Sequence, residues 1–184
     1  MLSKLEELSL VSRCKIFKDE KAFSRLVDLW SKRIRKFFLL QTGGDEMASD
    51  DLAQETFIKV WNKFPELTQV SSFSSWIFRI AYNTRLDHCR RHRKSETTQI
   101  ADSVGEARSD DSIDNHDLHR LLLKSLELLT EQERITITLF YLSELSIKEI
   151  SEVTGMVGGT VKANLSRGRA KLRQSPELRR YYNE

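Results

Sequence analysis

Two cationic clusters are the residues with the clearest chemistry. Arg90, Arg91, Arg93 and Lys94 close the segment WIFRIAYNTRLDHCRRHRK, residues 76–94, whose first half is apolar. Lys162, Ser166, Arg167 and Arg169 recur at short helical intervals in GGTVKANLSRGRAKLR, residues 158–173. Cations lined along a helix neutralise phosphates and release condensed counterions, so both clusters point to a polyanion. No rival chemistry is assembled: there is no Ser/His/Asp set, no phosphate-cradling Gly-x-x-x-x-Gly-Lys-[Ser/Thr] loop and no Cys-x-x-Cys pair. His88, Cys89 and His92 stand at spacings that can share an ion, but no further ligand lies nearby, so neither metal nor cofactor is expected.

These clusters sit in a chain of 184 residues with a net charge of +3. Residues 1–94 hold 18 Lys/Arg against 12 Asp/Glu, and residues 118–184 hold 11 against 8. Between them, residues 95–117 hold one basic and seven acidic side chains and few large apolar ones. That segment cannot offset its ordering entropy by burial and reads as a flexible acidic linker between two small domains, 1–94 and 118–184. Nothing suggests membrane insertion or a secretory signal, and the two cysteines are unpaired by spacing, which fits the cytoplasm.

Both domains have helical periodicity throughout, which predicts an all-α fold. Leu5, Leu8 and Val11 mark a short first helix. Phe23, Leu26, Trp30, Ile34, Phe37 and Phe38 mark a long one ending at Gly43-Gly44. Ser49 is the expected cap of the next, whose stripe is Ala53, Phe57, Val60, Trp61 and Phe64 before Pro65. The apolar half of the cationic segment turns Trp76, Ile77, Ile80, Ala81 and Thr84 inward, and Trp30, Trp61 and Trp76 read as core residues. About 20 helical residues span roughly 30 Å, so one end of this helix can be buried while the other tracks a charged partner.

In the second domain, Thr130-Glu-Gln-Glu133 and Ser146-Ile-Lys-Glu149 are capping boxes that start two helices. Gly155 then supplies a turn, and Val161 and Leu165 point inward from the helix that carries Lys162, Ser166, Arg167 and Arg169 outward. Two short helices joined through a glycine turn, the second cationic, form a helix-turn-helix suited to the major groove.

The stretches DDLAQETFIKVWNKF, SFSSWIFRIAYNTRLDHCRRHRK and LLTEQERITITLFYLSELSIKEISEVTGMVGGTVKANLSRGRAKLR, in that order around an acidic linker, resemble the extracytoplasmic-function group of bacterial sigma-70 family sigma factors. The resemblance covers residues 20–173. It implies a promoter-specific initiation factor, not an enzyme, that binds core RNA polymerase and assists promoter melting. Its DNA is double-stranded at the −35 element and single-stranded at the −10 element. By resemblance, Asp51, Gln54 and Glu55 contact polymerase. Ser72, Phe73, Asn83 and Arg85 join Arg90, Arg91 and Arg93 at the −10 region, and Thr160, Lys162, Ser166, Arg167 and Arg169 bind the −35 region. An anti-sigma factor is a further partner that the family implies. Judged by residue physics alone, Asp51 and Glu55 equally suit the dipole of their own helix, and a stand-alone helix-turn-helix regulator is the alternative function. The chain departs from the family pattern at Val157-Gly158, where a capping Ser is common, and at Asn164 and Gly168, which replace residues that are often Arg and Ala.

Overall fold

In the computed structural model, residues 4–96, 113–176 and 178 are described, and every regular element among them is helical. In chain order these are α1 (Lys4–Phe17), α2 (Glu20–Gln41), α3 (Glu46–Lys63), α4 (Phe73–Glu96), α5 (Ile113–Glu127), α6 (Glu131–Tyr141), α7 (Ile147–Thr154) and α8 (Gly158–Gln174). Two 3-10 turns, Phe64–Glu66 and Val70–Ser72, join α3 to α4. The chain clusters into two compact units, residues 1–36 with 50–102 and residues 37–49 with 103–184. Ser95 and Glu96 finish α4 and residues 113–117 begin α5, so helix enters both ends of the expected linker; residues 97–112 lie outside the described residues. Among the described residues no helix is long and apolar enough to cross a membrane.

The first unit is built on an aromatic core. Leu26, Trp30 and Ile34 of α2, Ala53, Phe57 and Val60 of α3, and Ile77, Ile80, Ala81 and Thr84 of α4 are all buried. Pro65 cannot donate an amide to a continuing helix, and α3 gives way there to the 3-10 turn. Trp61 and Trp76, expected in the core, keep part of their surface exposed.

Two sequence expectations fail among the N-terminal helices. Ser49 is buried inside α3 rather than capping it. Asp45 stands one turn earlier, and its Oδ1 accepts from the Ala48 amide at 2.9 Å, while the Ser49 hydroxyl turns back on the Asp45 carbonyl. Helix α1 is also longer than expected and in a different phase: Leu10, Val11 and Cys14 face inward, whereas Leu5 is exposed. The phase follows from packing on the two 3-10 turns, with Lys15 Nζ donating to the Thr68 carbonyl at 3.4 Å. Burial, helped by the Asp19 charge, pushes the Cys14 thiol up to about 11, so it stays a packing group and not a nucleophile.

The second unit is organised around α6, against which α7 and α8 pack. Both capping boxes form: Thr130 with Glu133, and Ser146 with Glu149. Gly155 takes φ 75° at the end of α7, a conformation that glycine adopts without a Cβ penalty. Ile135, Ile137, Leu139, Ile150, Val153, Val161 and Leu165 fill the core.

Candidate nucleic-acid interface

Helix α8 divides its residues cleanly. Val161, Asn164, Leu165 and Gly168 are buried, while Lys162, Ser166, Arg167 and Arg169 are exposed. Exposure alone does not make them equivalent. Lys162 and Ser166, four residues apart on the outward face, have no internal partner among the described residues. Arg167 is held sideways: its Nη2 donates to Asn164 Oδ1 at 2.7 Å, and its Nε lies 3.4 Å from Glu133 Oε1 on α6. Arg169 leans the other way, its guanidinium carbon 5.6 Å from the ring centroids of both Phe140 and Tyr141. Thr160 is half-buried near the helix start, where Val157 provides no side-chain cap.

The family departures in α8 have packing causes. Asn164 is buried, and besides accepting from Arg167 it donates from Nδ2 to Met156 Sδ at 3.4 Å. A Cβ at Gly168 would stand 2.9 Å from Ile137 Cγ1 and 3.2 Å from its Cδ1, so the glycine lets α8 close on α6. Gly168→Ala gains about 1 kcal/mol of helix propensity but meets a stiff β-branched neighbour, an overpacking of about 1–3 kcal/mol. The substitution is therefore expected to destabilise the chain in urea unfolding. In an Ile137→Ala background the same change should become neutral or stabilising, which a double-mutant cycle measures.

In the first unit, the residues expected at the −10 element separate in the same way. Phe73 is only 1% exposed, its ring stacked on Phe64 at 5.9 Å and 14°, with Trp30 and Trp76 also against it. The expectation that it faces DNA is corrected: four aromatic rings meet there, and their burial outweighs exposure. Arg85 is likewise buried. Ser72, at the end of the 3-10 turn, donates from Oγ to the Gln69 carbonyl at 2.8 Å, and its own carbonyl accepts from Ser75 Oγ at 3.0 Å. Asn83 is exposed without an internal partner among the described residues and shares a face of α4 with Arg90, seven residues on. Arg90 keeps only an exposed 3.3 Å contact with Asp87. The side chain of Arg93 lies outside the described residues.

Arg91 connects the cationic end of α4 to α3. It donates to Glu55 Oε2 at 2.8 Å, and Lys59 reaches Glu55 Oε1 at 2.9 Å, Asp87 Oδ2 at 3.3 Å and Thr84 Oγ1 at 3.2 Å. Burial opposes ionisation of Glu55, but the hydrogen bonds from Arg91 and Lys59 outweigh it and hold the carboxyl below its usual range. Asp51 and Gln54 lie exposed on the same helix. Sequence reasoning missed Lys59, although its i, i+4 relation to Glu55 was readable as a helix pair. The missed Glu133 was recognised only as a cap; its second partner, Lys171 Nζ at 2.7 Å, is remote in sequence. His88 and His92 place their rings 4.3 Å apart, and among the described residues no three metal-ligating side chains come together.

A helical module ending in a cation-bearing helix, followed by a helix-turn-helix module with an outward polar strip, defines a class of DNA-binding transcription protein. Two family models match in that order: Sigma-70 region 2 over residues 26–95, and Sigma-70, region 4 over residues 119–172. The chain belongs to the extracytoplasmic-function subfamily of the sigma-70 family, and so is a promoter-specific transcription initiation factor that works with core RNA polymerase. It is 28% identical to the ECF RNA polymerase sigma factor SigW of Bacillus subtilis, over 91% of this chain and 97% of the relative. It is 27% identical to the ECF sigma factor RpoE of Cereibacter sphaeroides, over 91% and 93% of the respective chains. Among solved structures, the sigma factor RpoE of Bartonella quintana, in complex with the anti-sigma factor NepR, matches with a TM-score of 0.69 at 25% identity, covering 86% of this chain and 98% of that one. The stand-alone regulator is not favoured by these matches.

Proposed function

We propose a residue-level division of labour within this initiation factor. Residues 1–94 dock on core polymerase through Asp51, Gln54 and Glu55 and engage the −10 element, with Ser72 and Asn83 at the displaced strand and Arg90, Arg91 and Arg93 on phosphates. Residues 118–184 bind the −35 duplex, where Lys162 and Ser166 face the bases and Thr160, Arg167 and Arg169 flank them. Residues 95–117 join the two. Phe73 and Arg85 support the −10 surface from within the core. The reading is supported above all by the two outward strips, Asn83 with Arg90 and Lys162 with Ser166, which stand on helices whose opposite faces are buried.

Extracting a base from a duplex costs a few kcal/mol, and a captured base returns about 1–3 kcal/mol. The factor alone therefore roughly breaks even, and strand opening depends on the polymerase holding the separated strands. This chemistry requires no active site and takes place where the cytoplasmic polymerase works. By likeness to the Bartonella quintana RpoE complex, an anti-sigma factor is a further partner.

The test is run-off transcription from upstream fragments of the host genome with purified core polymerase, for the wild type, Asn83→Ala and Lys162→Ala. The wild type should initiate only with core polymerase present. Asn83→Ala should change preference among −10 variants, and Lys162→Ala among −35 variants, by about 1–3 kcal/mol at the affected base. Uniform losses across all variants would reject these assignments. Tight operator-like binding without polymerase, and no transcription with it, would reject the function.

A further inference from the structure

The buried face of α8 carries a polar side chain. Asn164 is 1% exposed and shares that face with Val161, Leu165 and Gly168. A leucine of similar size would fill the same space without the cost of burying an amide, so packing alone does not call for asparagine. Asn164 is also a position at which the chain departs from the family pattern, which makes its role this chain's own.

The amide holds Arg167. Its Oδ1 accepts from Arg167 Nη2 at 2.7 Å, while its Nδ2 donates to Met156 Sδ at 3.4 Å. Met156 lies in the turn before α8, where its own amide donates to Thr154 Oγ1 at 3.3 Å and its carbonyl accepts from the Ser151 hydroxyl. The far end of the hold is therefore fixed. On the other side, Arg167 Nε lies 3.4 Å from Glu133 Oε1 of α6, a side chain 4% exposed against 61% for Arg167. Nε and Nη2 are both turned back on the protein, and Nη1 is the nitrogen left without a partner among the described residues. A single nitrogen suits a phosphate oxygen. Guanine is read by a pair of donors, on O6 and N7 together.

We infer that Asn164 is a positioning residue that sets the −35 specificity of this chain. With Glu133 it fixes Arg167 against α6, so that this arginine serves the phosphate backbone and is withheld from the bases, and sequence is read by Lys162 and Ser166. The inference rests on the reading of α8 as the −35 helix. Of the two holding contacts, the 2.7 Å bond to Asn164 is the shorter, so its removal releases the guanidinium.

The experiment measures binding of holoenzyme, reconstituted from the full chain and purified bacterial core RNA polymerase, to promoter fragments carrying each single-base change in the −35 element. Wild type, Asn164→Leu, Arg167→Ala and the double variant are compared at several salt concentrations. Arg167→Ala should weaken binding to all fragments by a similar factor and reduce the salt slope by about 1. Asn164→Leu should create a preference of about tenfold or more for guanine at one −35 position, and the double variant should lose it. Unfolding midpoints of wild type and Asn164→Leu should stay close, because Arg167 can turn to water and a thioether is a weak acceptor. If the Leu variant unfolds earlier, Asn164→Ala is judged by the same criterion. A wild-type preference profile in Asn164→Leu overturns the inference and leaves the −35 reading of α8 intact. So does a new preference that survives removal of Arg167, or a loss in Arg167→Ala confined to one base. A wild-type holoenzyme indifferent to every −35 change overturns the −35 reading and the inference with it.

Discussion

Phe73→Ala is expected to lower the unfolding free energy of the first unit by about 3–5 kcal/mol, the usual loss for truncating a fully buried phenylalanine. The ring touches Trp30, Phe64 and Trp76, from α2, the 3-10 turn and α4, so its removal opens a cavity where three segments converge. Aromatic neighbours cannot collapse into that space without leaving their rotamers, which places the loss toward the upper part of the range. Trp30, Trp61 and Trp76 all lie in the first unit, so tryptophan fluorescence in a urea titration reads this transition selectively. A phenylalanine that faced the promoter would behave differently: truncation would leave the fluorescence midpoint in place and reduce only open-complex formation. An unchanged midpoint would therefore restore Phe73 to the DNA surface.

The contrast between Phe73 and Asn83 marks how far the sequence could be read. Local signals were sufficient where the physics is local. The pairs Thr130 with Glu133 and Ser146 with Glu149 close their own hydrogen bonds within one turn, and Gly155 was identifiable because the turn demands a left-handed residue. The long stripe of α2 also fixed its own buried face, since Leu26, Trp30 and Ile34 repeat over several turns.

Expectations failed where a neighbour remote in sequence decides. Three apolar residues could not set the phase of α1; the 3-10 turns it packs on did so. Ser49 lost the cap to Asp45, a competition between two acceptable residues four apart that pattern alone leaves open. Gly168 looked like a weakness in α8 because Ile137, which forbids a side chain there, is 31 positions earlier. The candidate site follows the same rule. The cations were visible as types at helical spacing, but that Arg91 is tied to Glu55 and Arg167 to Asn164 and Glu133 requires the packed helices. Glu55, proposed for docking, and Arg91, proposed for the −10 element, consequently share an ionic network on the first unit. Arg91 must leave Glu55 before it can give its charge fully to a phosphate, whereas Arg90 gives up only an exposed contact.

Glu133→Ala is expected to cost the second unit about 3 kcal/mol, more than any exposed ion pair would suggest. The carboxylate is buried, with 4% of its side chain exposed. It accepts from the Thr130 amide at 3.0 Å and from Lys171 Nζ at 2.7 Å, with Arg167 Nε 3.4 Å away. Its loss removes a helix cap and two contacts that fix α8 on α6. Lys171 and Arg167 can both reach water, so no stranded buried cation adds to the loss. The pH dependence has a definite sign. Burial acts to raise the Glu133 carboxyl, but Lys171 and the Thr130 amide outweigh it and hold it below its ordinary value of 4.5. A carboxyl whose folded-state value is depressed contributes stability that is complete above the unfolded value and is lost as pH falls through the folded one. The second unit should thus weaken as pH drops below about 4.5, and Glu133→Gln should flatten that slope while lowering stability at neutral pH. Far-UV circular dichroism of the full chain detects the loss, and the tryptophan transition of the first unit supplies the internal control, since it should not move with either substitution. A Glu133→Ala chain that unfolds with the wild type by both signals would mean that α8 is held on α6 by its apolar contacts alone.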